Sequence, residues 1–263
     1  MKKTIEDLSN IIKEKFALKH LLVVPTDPED SEADKEKKLS LAGAEFLEDQ
    51  VNSGDLIGLS WGETVGNVVD QIENKNQVKD VLVLPVVGGP SHIDSEYHVN
   101  TLAYKLGKKL SGKSIFINAT VIQETIELAD GIQYSRYFSG INDRWEDLDI
   151  ALVGVGGPLR YRREHWRDLI NNYDLEDLRK YNAIGDCCCR FYDIDGNQIH
   201  SQLDKRTIGI ELDHLATIPL SIAIARDNIK AFSILALLRG HYVNGLITDQ
   251  ETIEEILRLD NLG

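Results

Sequence analysis

Cysteine is almost absent from these 263 residues, and the three present stand side by side at Cys187, Cys188 and Cys189. Adjacent strand positions point to opposite faces and a vicinal disulfide is strained, so a disulfide framework is excluded and a reducing, cytoplasmic setting is expected. With no CxxC spacing and no histidine in the run, neither a metal nor a redox centre is expected there, and the three read as small buried hydrophobes. Long apolar runs are missing too. Ile218 to Ala225 falls far short of the ~20 residues a membrane helix needs, and Met1-Lys2-Lys3 leads straight into Glu6 and Asp7, so no membrane contact and no signal peptide are expected. Basic charge is in deficit, with 29 Lys and Arg against 43 Asp and Glu and a net charge of −14. That sign is opposite to a nucleic-acid-binding surface, so this polypeptide by itself is not expected to grip DNA. Linkers, internal repeats and low-complexity segments are absent as well, which leaves one domain over residues 1–263.

Periodicity fills the space these absences leave. Ile5, Leu8, Ile11, Ile12 and Phe16 recur at helical spacing, and Leu21-Leu22-Val23-Val24 then reads as a buried strand stopped by Pro25. Thr26 to Asp34 reads as a polar loop, and helical periodicity resumes from Leu39 to Val51. Further strands are expected at Leu56–Leu59, Val81–Pro85, Ser114–Ile117, Ile150–Gly154, Ile208–Ile210, Ser221–Ala225 and Gly245–Thr248, with helical stripes such as Val99, Leu102, Leu106 and Leu110 between several of them. Such alternation predicts an α/β fold, a parallel sheet covered by helices on both faces. Arg190-Phe191-Tyr192 and Ile199-His200-Ser201 flank the turn signal Asp193 to Asn197, which predicts an antiparallel hairpin excursion.

Three strand ends run into glycine: Gly58 to Thr64, Gly88-Gly89 and Gly154 to Gly157. Glycine leaves backbone N–H groups uncovered, and a following helix points its positive end at the turn, so each junction is a candidate anion cradle. In open α/β sheets ligands collect outside the carboxyl ends of the strands, so the three are expected to converge on one crevice. The first fails as a P-loop, because Gly58 and Gly62 are too close and Glu63 stands where a lysine is required. The third lacks the last glycine of the dinucleotide fingerprint and is interrupted by Pro158, so neither nucleotide hydrolysis nor a nicotinamide cofactor is expected. Ser60 and Thr64 offer hydroxyls to an oxygen-rich ligand, or else cap the next helix. Arg160, Arg162, Arg163, Arg226 and Lys230 are the candidate cations, and Asp186 is a candidate acceptor for sugar hydroxyls.

These blocks together resemble one family. Ser60-Trp61-Gly62-x-Thr64, Gly88-Gly89, Asp149 through Gly156, Ala183-Ile184-Gly185-Asp186 leading to Phe191-x-Asp193-x-Asp195-Gly196, and Leu238-Arg239-Gly240 through Asp249 are similar, in order and spacing from about residue 5 to 259, to the effector-binding domain of SorC-family bacterial regulators. The resemblance implies a three-layer Rossmann-like domain, akin in topology to phosphosugar isomerases and coenzyme A transferases, which binds a sugar or sugar phosphate and self-associates. It implies that Ser60, Trp61, Gly62, Glu63 and Thr64 with Gly88 and Gly89 hold phosphate, that the stretch Arg160, Arg162 and Arg163 with Lys230 adds charge, and that Asp186 reaches the sugar; Gly156 and Arg226 are candidates from their own strand ends. DNA binding in that family belongs to a helix-turn-helix upstream of the segment where this chain begins, so DNA contact is expected only through that separate N-terminal domain. Departures from the family pattern are Glu63, where a basic residue often stands, Arg226-Asp227 in place of two glycines, and Val87 where an arginine can occur.

Fold alone does not decide between sensor and enzyme. A phosphosugar isomerase would need an acid and a base beside the sugar carbonyl, for which Asp186, Asp249, Glu63 and His92 are the candidates. Asp249 also reads as the start of the helix carrying Ile253, Ile256 and Leu257, with Thr248 and Glu251 as a capping box. His165, His200 and His214 share no spacing that would assemble a metal site or a nucleophile pair. Non-catalytic sensing is the expectation, with no cofactor and no metal.

Overall fold

The computed structural model describes residues 4–159 and 170–261. Nine strands and eleven α-helices alternate along them: α1 (Ile5–Lys15), β1 (His20–Val24), α2 (Glu32–Gln50), β2 (Leu56–Leu59), α3 (Glu63–Gln71), β3 (Leu82–Pro85), α4 (Val99–Lys109), β4 (Lys113–Ser114), α5 (Ile126–Gln133), α6 (Arg136–Glu146), β5 (Ile150–Gly154), α7 (Asn172–Lys180), β6 (Gly185–Cys187), β7 (Arg190–Tyr192), α8 (Gln202–Lys205), α9 (Leu212–Thr217), β8 (Leu220–Ile224), α10 (Ala231–Arg239), β9 (Gly245–Asp249) and α11 (Gln250–Asp260). Seven strands form one sheet in the order β1-β9-β8-β5-β2-β3-β4, every pair parallel. From β2 the chain steps outward through β3 to β4, then returns to the other side of β2 and steps through β5 and β8 to β9. The switch point of the sheet is therefore the β2–β5 boundary, where the crevice of an open α/β sheet forms.

Alternate strand residues feed two cores. Ile57, Leu59, Ile150, Leu152, Ile222, Ile224 and Ile247 point to a layer filled by α2, α3 and α4 through Leu39, Leu47, Val65, Val68, Leu102 and Leu106. Ala151, Val153, Ala223 and Leu246 point the other way, where α6, α10 and α11 contribute Phe138, Ile141, Leu235, Leu238, Ile253 and Ile256. Strands buried on both faces are near-continuous apolar runs because neither face meets water.

Several local expectations shift. Helix α2 begins seven residues before Leu39 because Ser31 and Asp34 form a reciprocal capping box that starts it at Glu32, ahead of any large apolar residue. β4 is only Lys113–Ser114, and Ile208 to Ile210 does not join the sheet: it lies antiparallel to the loop after β3 through a single bridge, Val87 with Gly209. The hairpin is one strand earlier than expected. Its strands are β6 and β7, and its two-residue loop is Cys188-Cys189, both with positive φ (52° and 60°) as a tight hairpin turn demands. The Asp193–Asn197 turn also forms, with Asp193 Oδ1 accepting from the Asp195 and Asn197 amides, but its return segment adds only the bridge Tyr192 to Gln198 before leaving for α8. All three cysteines are buried thiols and none forms a disulfide among the described residues. Hydrogen bonding with Cys188 and complete burial hold the Cys187 thiol well above the usual range, so it stays protonated. Among the described residues no helix is long and apolar enough to cross a membrane.

Candidate functional site

At the β2–β5 boundary the two strand ends are tied side chain to backbone: Ser60 Oγ accepts from the Gly154 amide at 2.9 Å, and the Ser60 amide donates to Leu152 O at 3.1 Å. Ser60 is thus a buried joint across the switch point rather than a helix cap. Beyond it Gly62 takes φ 124°, and α3 starts with no side chain capping it. The Gly66 amide is the first to find an intrahelical acceptor, Gly62 O at 2.9 Å. The amides of Glu63, Thr64 and Val65 therefore have no acceptor among the described residues, and they carry the positive end of the helix dipole. By contrast α1, α2, α4, α5, α6, α7 and α11 all begin under a side-chain cap.

This open helix end forms one wall of a cavity of about 340 Å³, a size suited to a small ligand. Ser60 to Val65 line it from β2 and α3, Gly154 to Gly156 from the end of β5, Ile224 from the end of β8, Asp186, Cys188 and Cys189 from the hairpin, and Val87, His92, Ile93, Asp94 and Tyr97 from the loop after β3. Lys230 is the one lysine or arginine among the described lining residues; its Nζ donates to Val155 O at 2.9 Å. Asp186 is brought in by a bridge to Gly156, whose amide donates to Asp186 O at 2.8 Å, and a Cβ on Gly156 would lie 2.0 Å from Asp186 Oδ1. Tyr97 clamps the α3 wall, since its carbonyl accepts from the Gly62 amide at 3.3 Å and its ring lies where a Cβ on Gly66 would stand. Burial, with Glu96 and Glu63 nearby, raises the Tyr97 phenol above its ordinary value, so it faces the cavity as a neutral hydroxyl.

The expected set divides here. Ser60, Trp61, Gly62, Glu63, Thr64, Gly156, Asp186 and Lys230 are brought together around the cavity. Gly88 and Gly89 are not among its lining residues: their amides donate to Ile208 O (2.8 Å) and Ala119 O (2.9 Å), leaving no N–H for an anion. They are glycines because the chain is crowded there, with a Cβ on Gly88 lying 2.9 Å from the Thr120 backbone and one on Gly89 2.2 Å from the His98 ring. Arg226 also stays outside, with Nε 2.8 Å from Asp249 Oδ2 and Nη2 2.7 Å from Glu32 Oε2. Burial opposes its charge, but those carboxylates more than compensate and raise its pKa. Arg160, Arg162 and Arg163 lie outside the described residues. Of the acid and base candidates, Glu63, His92 and Asp186 line the cavity, whereas Asp249 is the N-cap of α11, accepting from the Thr252 amide at 2.9 Å, so no Thr248–Glu251 box forms. Apart from His92, the loop wall of Ile93, Asp94 and Tyr97 and the Cys188-Cys189 turn were what patterns did not reveal, although a polar, aromatic loop following a strand end was the available signal. Among the described residues no three metal-ligating side chains converge.

An all-parallel three-layer sheet with a polar crevice at its switch point defines a small-ligand-binding α/β domain. Residues 3–258 match the family model of the Sugar-bind sugar-binding domain. The chain is 33% identical to the sorbitol operon regulator of Klebsiella pneumoniae, over 95% of this chain and 80% of that protein. With the deoxyribonucleoside regulator of Bacillus subtilis it shares 30% identity, over 96% and 80%. Among solved structures, a transcriptional regulator from Streptococcus pneumoniae superposes with a TM-score of 0.94 at 40% identity, covering 98% of both chains, and the full-length Klebsiella sorbitol operon regulator SorC with 0.89 at 32% identity, covering 98% of this chain and 84% of that one. The chain belongs to the SorC family of sugar-binding transcriptional regulators.

Proposed function

We propose that this chain is the effector-sensing domain of a transcriptional regulator, taking a sugar or sugar phosphate into the switch-point cavity and thereby controlling DNA binding by a separate N-terminal domain. The observation that carries this reading is the convergence of the uncapped α3 amino end, Lys230 and Asp186 on one cavity. A sugar with one phosphate uses all three: open amides and an ammonium favour the anion, and a carboxylate accepts from hydroxyls. Glu63 opposes the phosphate, so its charge sets the margin between phosphorylated and free sugars. The protein acts without turnover and as a homo-oligomer, the bound effector favouring one arrangement of subunits over another.

A thermal-shift panel of D-sorbitol, 2-deoxy-D-ribose and their phosphates tests the ligand class, since a ligand at 100 times its Kd adds about 2.7 kcal/mol of stability. A shift with at least one sugar or sugar phosphate, lost in Lys230→Ala, is expected. No shift across the panel contradicts the ligand class, and sustained isomer interconversion followed by NMR would replace the sensor with a phosphosugar isomerase.

A further inference from the structure

Lys230 is carried by a turn that is gripped from outside the cavity. Between the end of β8 and Lys230, the Arg226 guanidinium bridges Asp249 on α11's amino end and Glu32 on α2's first turn, with Glu36 4.0 Å away. The next residue, Asp227, has φ 98° and ψ 130°, a backbone conformation that glycine enters freely and other residues rarely adopt. A non-glycine persists there only where its surroundings over-determine it. Three bonds do so. The Asp227 amide donates to Thr252 Oγ1 at 2.9 Å, its carboxylate accepts from the Ile229 amide at 3.0 Å, and its carbonyl accepts from the Lys230 amide at 2.9 Å. Thr252 is in turn fixed by Asp249, the carboxylate that Arg226 holds. The lysine is therefore tied at both ends, by its backbone to Asp227 and by its ammonium to Val155 O.

We propose that Arg226 and Asp227 are positioning residues for the ligand site: without touching ligand, they hold the turn that sets the Lys230 ammonium at the end of β5. The same turn links the cavity to the amino ends of α2 and α11. This inference rests on the reading of Lys230 as a ligand contact. It also accounts for why a turn that glycine would build without strain carries Arg-Asp: the two side chains supply the anchors.

Lysine accessibility reads the placement with no sugar present. Reductive dimethylation by formaldehyde and borane, followed by peptide mass spectrometry of the full chain, gives the rate at half-buried Lys230 relative to exposed Lys108. Arg226→Gln should raise that ratio at least threefold. Asp227→Gly, which removes the Ile229 cap but keeps a residue at ease in the turn, should do likewise and covers the case in which the arginine variant fails to fold. Arg239→Gln, which breaks a pair with Asp260 away from the cavity, should leave the ratio unchanged. Unchanged ratios in Arg226→Gln and Asp227→Gly overturn the proposal. Titration with D-sorbitol 6-phosphate supplies the second arm. Arg226→Gln should weaken binding at least fivefold in the wild-type background and less than twofold in Lys230→Ala, whereas an equal loss in both backgrounds contradicts positioning through the lysine. If Lys230→Ala binds as tightly as wild type, or the wild type binds neither this nor any other sugar of the panel, the ligand reading fails while the dimethylation ratio still decides what places Lys230.

Discussion

Two strand ends in this protein carry glycine and lead toward the same crevice, yet they do opposite things with their amide groups. At Gly62 the chain enters α3 with no cap, and the amides of Glu63, Thr64 and Val65 are left for whatever occupies the cavity. At Gly88-Gly89 the amides are already spent on Ile208 and Ala119, and the missing Cβ atoms make room for Thr120 and the His98 ring. Glycine at the end of a parallel strand therefore marks close approach of something. Whether that something is a ligand or the protein's own backbone depends on where the N–H groups go.

This contrast can be broken by substitutions ordered by their expected cost to folding. Gly88→Ala should be the most damaging, because its Cβ would meet backbone that cannot turn aside; a loss of about 1–3 kcal/mol in urea unfolding is expected, with the affinity of the folded fraction unchanged. Ser60→Ala should cost about 1 kcal/mol by depriving the Gly154 amide of its acceptor, and should weaken ligand binding as well, since that bond joins the two strand ends beneath the cavity.

Acid should weaken the closed junction. His98 packs against Gly89, and its Nδ1 accepts from the Asn100 amide at 3.2 Å, which requires a neutral ring; burial lowers its pKa below the ordinary 6.5. A lowered histidine pKa means that the unfolded chain binds the proton more readily. The contribution is complete above pH 6.5 and is lost as pH falls from there toward the folded-state value. Denaturation midpoints at pH 7.5 and 5.5 check this, and His98→Asn, which keeps a capping side chain, should remove this share of the pH dependence while leaving that of His20, whose pKa burial also lowers. Thr64→Val should be the mildest for stability, within about 0.5 kcal/mol, yet should weaken binding because it replaces a hydroxyl on the open wall.

The sheet was largely legible before the structure because its central strands are apolar on both faces, and β3, β5 and β9 stop at Pro85, Gly154 and Asp249. Their observed bounds depart from expectation by a residue at most, from Leu82 rather than Val81 and from Leu220 rather than Ser221. What periodicity could not convey was partnership over distance. The acceptor of the Gly88 amide is Ile208 O, brought alongside by tertiary folding alone. Arg226 looked like a ligand cation because it follows a strand end, but its partner Glu32 stands 194 residues away in sequence. The Cys188-Cys189 hairpin turn was hidden because neither residue belongs to the usual turn formers, while the Asp-Gly pair nearby advertised a turn whose return strand hardly pairs. Conversely, Gly156, Lys230 and the Ser60 to Thr64 loop could be placed at the crevice because each sits at or near the carboxyl end of a recognisable strand, where the topology makes one, whereas Asp186 lies inside β6 and was singled out by its Gly185-Asp186 block.

Calorimetric titration of wild type, Thr64→Val, Lys230→Ala and Gly88→Ala with the panel sugar that gives the largest thermal shift tests the central claim most directly. The open junction at α3 as ligand wall predicts at least tenfold weaker binding for Lys230→Ala, a smaller loss for Thr64→Val, and wild-type affinity for folded Gly88→Ala. Wild-type affinity in both cavity variants, or a loss in Gly88→Ala as large as that in Lys230→Ala, would contradict it.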